Sequence, residues 1–405
     1  MYPINLKVCD AMCGAGKTQA AIHLMNEHPD RKFLFITPFL EEVDRIRSNC
    51  PALKFAEPKA LDKDGKFGNL ISLLENKVNI ASTHALFSRY DDYVASLIKQ
   101  GGYTLILDEV TDVVDFLDVH SDDVRDLIES RHIAVGENGR VFWIDENYNG
   151  YFKKYKQQIQ SGYVIMDNDK LLLWLFPIEV FEAFAEVIIL TYMFDAQMQK
   201  YYFDLHGHTY EQIGTRRITG IDYEFCAVED ADPSPSLSGK IHILEDAALN
   251  EVGSGCYDLS VKWHERERSV LGHPTIDKLK KNLYNAFRNK FNAASGDILW
   301  TTFKDYTGLL KGKGYAKSFL SYNARACNNY ADRHYLGYCV NIFLRPSLKH
   351  YFESQGVRVD EERYALSEMI QWVWRSAIRR GEEIWLYVPS SRMRGLFCDW
   401  LEEMK

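Results

Sequence analysis

Short apolar segments recur along the first half of the chain, each followed by a stretch with helical spacing. The strand candidates are Leu6–Cys9, Phe33–Ile36, Val78–Ala81, Thr104–Leu107 and Val187–Leu190. Helical patterns fall at Thr18–Glu27, Glu41–Ser48, Leu70–Glu75 and Ala85–Lys99. Strands alternating with helices predict a parallel sheet covered on both faces. Ligands of such sheets bind beyond the carboxyl ends of the strands. The rhythm breaks between residues 110 and 185. There Asp115–Arg131 is acidic and helical in pattern, while Val141–Ile144 and Tyr163–Met166 look like strands or hairpins. This segment reads as an insertion in the first domain.

Asp230–Gly239, rich in Pro, Ser and Asp, is the clearest loop. Beyond it the alternation resumes. Lys240–Leu244, Ile298–Thr302, Ser318–Leu320, Leu336–Ile342 and Glu383–Tyr387 are strand candidates. Helices are expected at Ile276–Asn292, Glu362–Ile378 and Met393–Glu403. The pattern predicts an α/β protein with two domains in tandem. They are 1–225, with the insertion at about 110–185, and 240–405, joined by a linker at 226–239.

Composition narrows the class. The chain has 405 residues, 46% hydrophobic and 26% charged, as expected of a globular protein with more than one core. Its formal charge is −9, from 48 Lys and Arg against 57 Asp and Glu. Such a chain is no general polyanion binder, so any nucleic-acid contact needs a local cleft with its own basic groups. Eight cysteines are scattered without a Cys-x-x-Cys pair, which points to free thiols and not to zinc. The first residues lack the pattern of a signal peptide, and the most apolar run, Leu171–Phe176, is too short to span a bilayer. A soluble, cytoplasmic protein is expected.

The chemistry starts at Ala11-Met12-Cys13-Gly14-Ala15-Gly16-Lys17-Thr18, between a strand and a helix. A glycine-bearing loop ending in Gly-Lys-Thr in that setting holds a nucleoside triphosphate. Loop N–H groups from Cys13, Gly14, Ala15 and Gly16 cradle phosphate oxygens, and the following helix adds partial positive charge. Lys17 reaches the outer phosphates, and the Thr18 hydroxyl ligates Mg²⁺. An ordinary strand–helix turn with a solvated lysine is the competing reading.

Thr104-Leu105-Ile106-Leu107-Asp108-Glu109 supplies the second half. An apolar strand delivers two acids at its carboxyl end. Asp108 would hold the Mg²⁺ shell, and Glu109 would orient and deprotonate an attacking water. Two other strand ends carry small hydroxyl residues, Thr37-Pro38 and Ser82-Thr83-His84. Such positions can hold a nucleic-acid backbone phosphate, and serve equally as plain helix caps.

Together these segments resemble motifs I, Ia, Ib and II of superfamily 2 helicases and translocases. Thr191-Tyr192-Met193 sits where motif III belongs, with a weak match. Gln371-Trp372-Val373-Trp374-Arg375-Ser376-Ala377-Ile378-Arg379-Arg380 resembles motif VI, usually Gln-x-x-Gly-Arg-x-x-Arg. Gln371 and Arg375 match in spacing, Trp374 replaces the glycine, and Arg379 falls one place late. The resemblance is greatest to phage- or prophage-encoded DEAD/DEAH-box-like members. It implies two RecA-like domains, ATP and Mg²⁺ as cofactors, and an arginine finger that is either Arg375 or Arg379. It also implies nucleic-acid contacts at Thr37, Pro38, Ser82, Thr83, His84, Asn323 and Arg325, with Ser321-Tyr322-Asn323 standing where motif V belongs. The implied activity is an ATP-dependent helicase or translocase, DNA favoured over RNA. An ATP-switched binding protein without unwinding is the alternative. Replication or recombination proteins are the implied protein partners, a bacterial host's cytoplasm the implied location, and no membrane is involved.

Overall fold

The computed structural model describes residues 4–61, 63, 65–137, 139–167, 171–234, 236–237, 239–324 and 329–404. The chain divides into two compact units. One comprises the chain up to Ala11 together with Gly16–Asp232 and His350–Arg358; the other comprises Met12–Ala15, Pro233–Lys349 and Val359–Lys405.

The first unit is built on a seven-stranded sheet. Its strands are β1 (Leu6–Asp10), β2 (Lys32–Thr37), β3 (Ile80–Thr83), β4 (Tyr103–Asp108), β5 (Glu186–Thr191), β6 (Glu211–Thr219) and β7 (Asp222–Cys226), in the order β7-β6-β1-β5-β4-β2-β3. All neighbours pair in parallel except the β6–β7 hairpin. Phe33–Ile36, Leu105–Leu107 and Val187–Leu190 are buried on both faces, as unbroken apolar runs in a covered parallel sheet must be. The register sets Asp10 beside Thr191, Leu190 beside Asp108, and Thr37 beside Thr83. The polar residues that end the apolar strands therefore line up along one edge of the sheet.

Helix α1 (Lys17–Glu27) buries Ala20, Ala21, Ile22 and Met25 against the sheet core. Helix α2 (Leu40–Asn49) carries Glu41 and Glu42 in its first turn, where the helix dipole favours acids. The helix expected over Ala85–Lys99 is two: His84–Phe87 and Asp92–Gly101. Asp91 divides them, because its side chain accepts a hydrogen bond from Val94 N–H and starts a fresh helix. Tyr90, just before it, is buried as an anchor.

The segment between β4 and β5 forms a small body with its own apolar core, which includes Leu117, Val124, Ile133, Trp143, Val164 and Leu172. The expected acidic helix Asp115–Arg131 is shorter, Ser121–Glu129, since Val114–Phe116 pairs as a strand with Leu171–Leu175. Val164–Asp167 completes that three-stranded antiparallel sheet, and Ile133–Val135 pairs with Val141–Trp143 as a hairpin. The β6–β7 hairpin has no counterpart in the sequence reading.

The second unit holds a four-stranded sheet of β8 (Ile241–Ile243), β9 (Ile298–Thr301), β10 (Tyr335–Tyr338) and β11 (Ile384–Tyr387), ordered β8-β11-β10-β9 and parallel throughout. Its core packs Trp300, Tyr315, Tyr387, Leu283 and Phe287. Trp300 is fully buried, and its indole N–H donates to Tyr315 O at 2.8 Å. Ser318–Leu320 adds only one bridge to this sheet, Phe319 beside Trp300. The helix expected over Glu362–Ile378 ends at Val373, and a separate single turn covers Ala377–Arg380. The break follows from Ala377 N–H, which donates to Arg333 O instead of continuing the helix. Among the described residues, no helix is long and apolar enough to cross a membrane. The fold class read from the sequence, α/β with two parallel-sheet domains and an insertion in the first, is the one observed.

Candidate nucleotide-binding site

At the edge of the first unit's sheet, Thr18 at the start of α1 meets Asp108 at the end of β4. β1 ends at Asp10, the chain turns through Ala11–Gly16, and α1 begins at Lys17. Gly14 and Gly16 take φ of +89° and +79°, a region that a side chain would strain. No side chain caps α1. Lys17 Nζ donates to Ala11 O at 2.5 Å, which folds the lysine back over the loop.

Asp108 is the centre of the cluster. Its Oδ1 accepts from Thr18 Oγ1 at 3.4 Å and its Oδ2 from Thr37 Oγ1 at 3.2 Å. A carboxylate and a threonine hydroxyl are hard oxygen donors, the chemistry Mg²⁺ selects. This donor set and the glycine-lined loop fit a magnesium-bound triphosphate: Thr18 and Asp108 would hold the metal, Lys17 and the loop the phosphates. The metal would supply neutralisation of charge on the phosphates.

Glu109 follows with φ +67°, an uncommon conformation for a side-chain-bearing residue, and its N–H donates to Leu190 O at 2.9 Å. That backbone bond to β5 helps hold the turn. Residues in strained conformations gather at working sites, and this one directly follows Asp108. Burial first, then the Glu109 and Glu42 carboxylates, push the Asp108 carboxyl up to about 7, against the pull of Lys17 and Thr37. Glu42 sits in the first turn of α2 and was not signalled by any motif.

This shift carries a sign. The native state holds its proton more tightly than the unfolded chain, whose carboxyl titrates at 3.8. Stability of the metal-free protein should therefore fall as pH rises from about 4 to about 7. Mg²⁺ competes with the same proton, so its affinity should climb roughly tenfold per pH unit below 7. Melting curves and Mg²⁺ titrations from pH 5 to 8 check both. An Asp108→Asn variant with unaltered pH profiles would remove Asp108 from this role.

The hydroxyl positions read as nucleic-acid contacts are distributed differently. Thr37 is 0% exposed and spends its hydroxyl on Asp108; Ser82 is 3% exposed. Pro38, Thr83 and His84 are half-buried, and His84 Nε2 lies 3.0 Å from Asp108 O. His84 is thus tied to the acidic strand. Asp10 is a residue the sequence reading passed over. Its carboxylate accepts from Met193 N–H at 2.7 Å and Phe194 N–H at 2.9 Å, and burial raises its pKa. It fastens the end of β1 to the turn after Thr191. An acid closing an apolar strand directly before the loop was the available signal.

In the second unit, Gln371 lies half-buried on the helix Glu361–Val373, and Arg375 follows just past its end. Arg375 Nε is buried without a hydrogen-bond partner. Arg379 is exposed on the single turn Ala377–Arg380, so the two arginines stand on different elements. Trp372 is core: its indole donates to Leu320 O and its ring meets Tyr338 at 5.4 Å. Asn323 is exposed, with its Oδ1 accepting from Ser321 Oγ at 2.6 Å. Arg325 lies outside the described residues.

Comparison with known proteins adds lineage. The family model described as the YonV middle domain matches residues 114–174, the segment with its own small core, and the YonV C-terminal Rossmann-like domain matches 235–401. The SPbeta prophage-derived uncharacterized protein YonV of Bacillus subtilis (strain 168) is 41% identical over 416 residues, spanning 99% of this chain and 100% of that protein. The chain belongs to the YonV family. This YonV-family fold also resembles solved structures of XPD. An apo XPD aligns at a TM-score of 0.52 and 12% identity, over 98% of this chain and 95% of that one. An XPD helicase structure reaches 0.49 at 12% identity, over 99% and 95%. At such identity the likeness is one of fold: tandem RecA-like domains with an insertion.

Proposed function

We propose that this YonV-family chain is an ATP-dependent nucleic-acid helicase or translocase, DNA favoured over RNA. One observation carries the reading: Thr18, Thr37 and Asp108 converge on one point beside a glycine loop whose lysine is folded over it. That is a constellation for splitting a magnesium-bound triphosphate. In this reading Glu109 orients and deprotonates the attacking water, and Gln371 with Arg375 or Arg379 stabilises charge growing on the outer phosphate. In related hydrolases an arginine so used is worth roughly three to five orders of magnitude. The fold shared with the apo XPD structure supports the class.

Hydrolysis coupled to a strand should be stimulated by single-stranded nucleic acid. The apparent affinity for the strand should fall with salt, with a log–log slope of about −0.7 per phosphate contacted. Phosphate release measured with single-stranded, duplex and branched DNA and RNA tests this. Turnover indifferent to every nucleic acid sinks the coupling. A second reading rests on the departures from the helicase pattern where motifs III and V belong, at Thr191-Tyr192-Met193 and Ser321-Tyr322-Asn323: an ATP-switched binding protein that does not unwind. Strand displacement, assayed beside hydrolysis, separates the two.

A further inference from the structure

A triphosphate held as described has a direction. Its metal-bound end is fixed by Thr18 and by Asp108 on β4, and β4 is reached from β1 across β5. The nucleoside must then leave the loop on the opposite flank, where β1 is bordered by β6 and β7. On that flank the β6–β7 hairpin presents an aromatic ring to the loop. The Tyr223 ring lies so close to Gly16 that a Cβ added there would fall 2.3 Å from its Cγ. Gly16 is therefore required twice over, for its φ and for the space the ring occupies.

Arg217 faces Tyr223 directly across the hairpin. Its Nε and Nη2 donate to Tyr223 Oη at 3.0 and 2.5 Å, and its guanidinium carbon lies 5.2 Å from the ring centroid. The backbone of Arg217 is itself held, since its N–H donates to Asp232 Oδ2 at 2.8 Å. Arg217 is exposed and Tyr223 half-buried, so the guanidinium and part of the ring beside it are open to solvent. An exposed guanidinium spread beside a fixed ring, at the edge of a phosphate loop, is a surface on which a flat π-system stacks.

We propose that Tyr223 and Arg217 form the platform for the purine base of the nucleotide whose phosphates occupy the loop. The assignment rests on the triphosphate reading of that loop. Recognition is by stacking, which every base offers through its π-face, and a purine covers more of the platform than a pyrimidine.

Calorimetry on the full chain with Mg²⁺-ATP and with Mg²⁺-tripolyphosphate tests it, because only the first ligand carries a base. Tyr223→Ala should weaken ATP binding on the order of 10- to 100-fold, the scale of one lost base stack, and leave tripolyphosphate unchanged. Tyr223→Phe keeps the ring and should retain most of the ATP affinity. Arg217→Ala, at an exposed position, should weaken ATP alone and guards against misfolding of the tyrosine variant. Equal weakening of both ligands by Tyr223→Ala would overturn the platform and leave the ring as a prop for Gly16. ATP affinity unchanged in both alanine variants would overturn it too. The underlying loop reading fails separately, if Lys17→Ala binds ATP and tripolyphosphate as the native chain does.

Discussion

Lys17→Ala should lose ATP hydrolysis by about 10²- to 10³-fold or more while the protein stays folded. The size follows from what the ammonium does in the proposed site. It is a fixed positive charge poised where negative charge builds on the phosphates, and removal of one such preorganised donor costs on that order in turnover. The small structural effect follows from what else the side chain does. Its described hydrogen bond goes to Ala11 O in a partly exposed loop, and such a bond is worth about 1 kcal/mol net. The α1 face that packs on the sheet, through Ala20, Ala21, Ile22 and Met25, is untouched. Steady-state phosphate release beside a thermal melt reads both quantities. Native turnover in the variant would remove the loop from the catalytic site. A collapse of the melt would show that the lysine is structural.

Glu109→Gln should separate binding from chemistry. The substitution keeps size and shape but removes the basic oxygen, and a positioned general base contributes typically about 10²- to 10⁴-fold. Hydrolysis should fall by that factor while affinity for Mg²⁺-ATP stays near native, since Thr18, Lys17 and Asp108 remain. The strained backbone at Glu109 is anchored by its own N–H to Leu190 O, which the substitution leaves in place. Single-turnover hydrolysis and equilibrium ATP binding on the same variant give the split. Parallel loss of both would mean that Glu109 shapes the pocket and does no proton transfer.

Much of this architecture was legible because its signals are local. Phe33–Ile36, Leu105–Leu107 and Val187–Leu190 are apolar runs too short for helices and too continuous for an exposed sheet. The acid pair closing β4 and the Gly-Lys-Thr loop opening α1 each lie within a few residues. The β6–β7 hairpin gave no such signal. Arg216, Arg217, Ile218 and Thr219 are all exposed, so neither face shows apolar alternation. Its place is fixed by pairing with β1, some 200 residues away in sequence. The break at Asp91 was hidden in another way, because helical spacing continues across it and only a side-chain cap divides the two helices.

The order of elements, the parallel sheets and the place of the Gly-Lys-Thr loop between β1 and α1 were determined by the chain itself. Burial periodicity and turn chemistry act between near neighbours and need no partner to be read. Which groups meet was decided only by folding. Thr37 and Thr18 converge on Asp108, Asp10 fastens the turn at Met193, and Tyr223 closes on Gly16 because strand register aligns residues that sequence holds far apart. One step of register would turn Asp10, Thr37, Asp108 or Tyr223 to the other face of the sheet, and no local pattern records that choice.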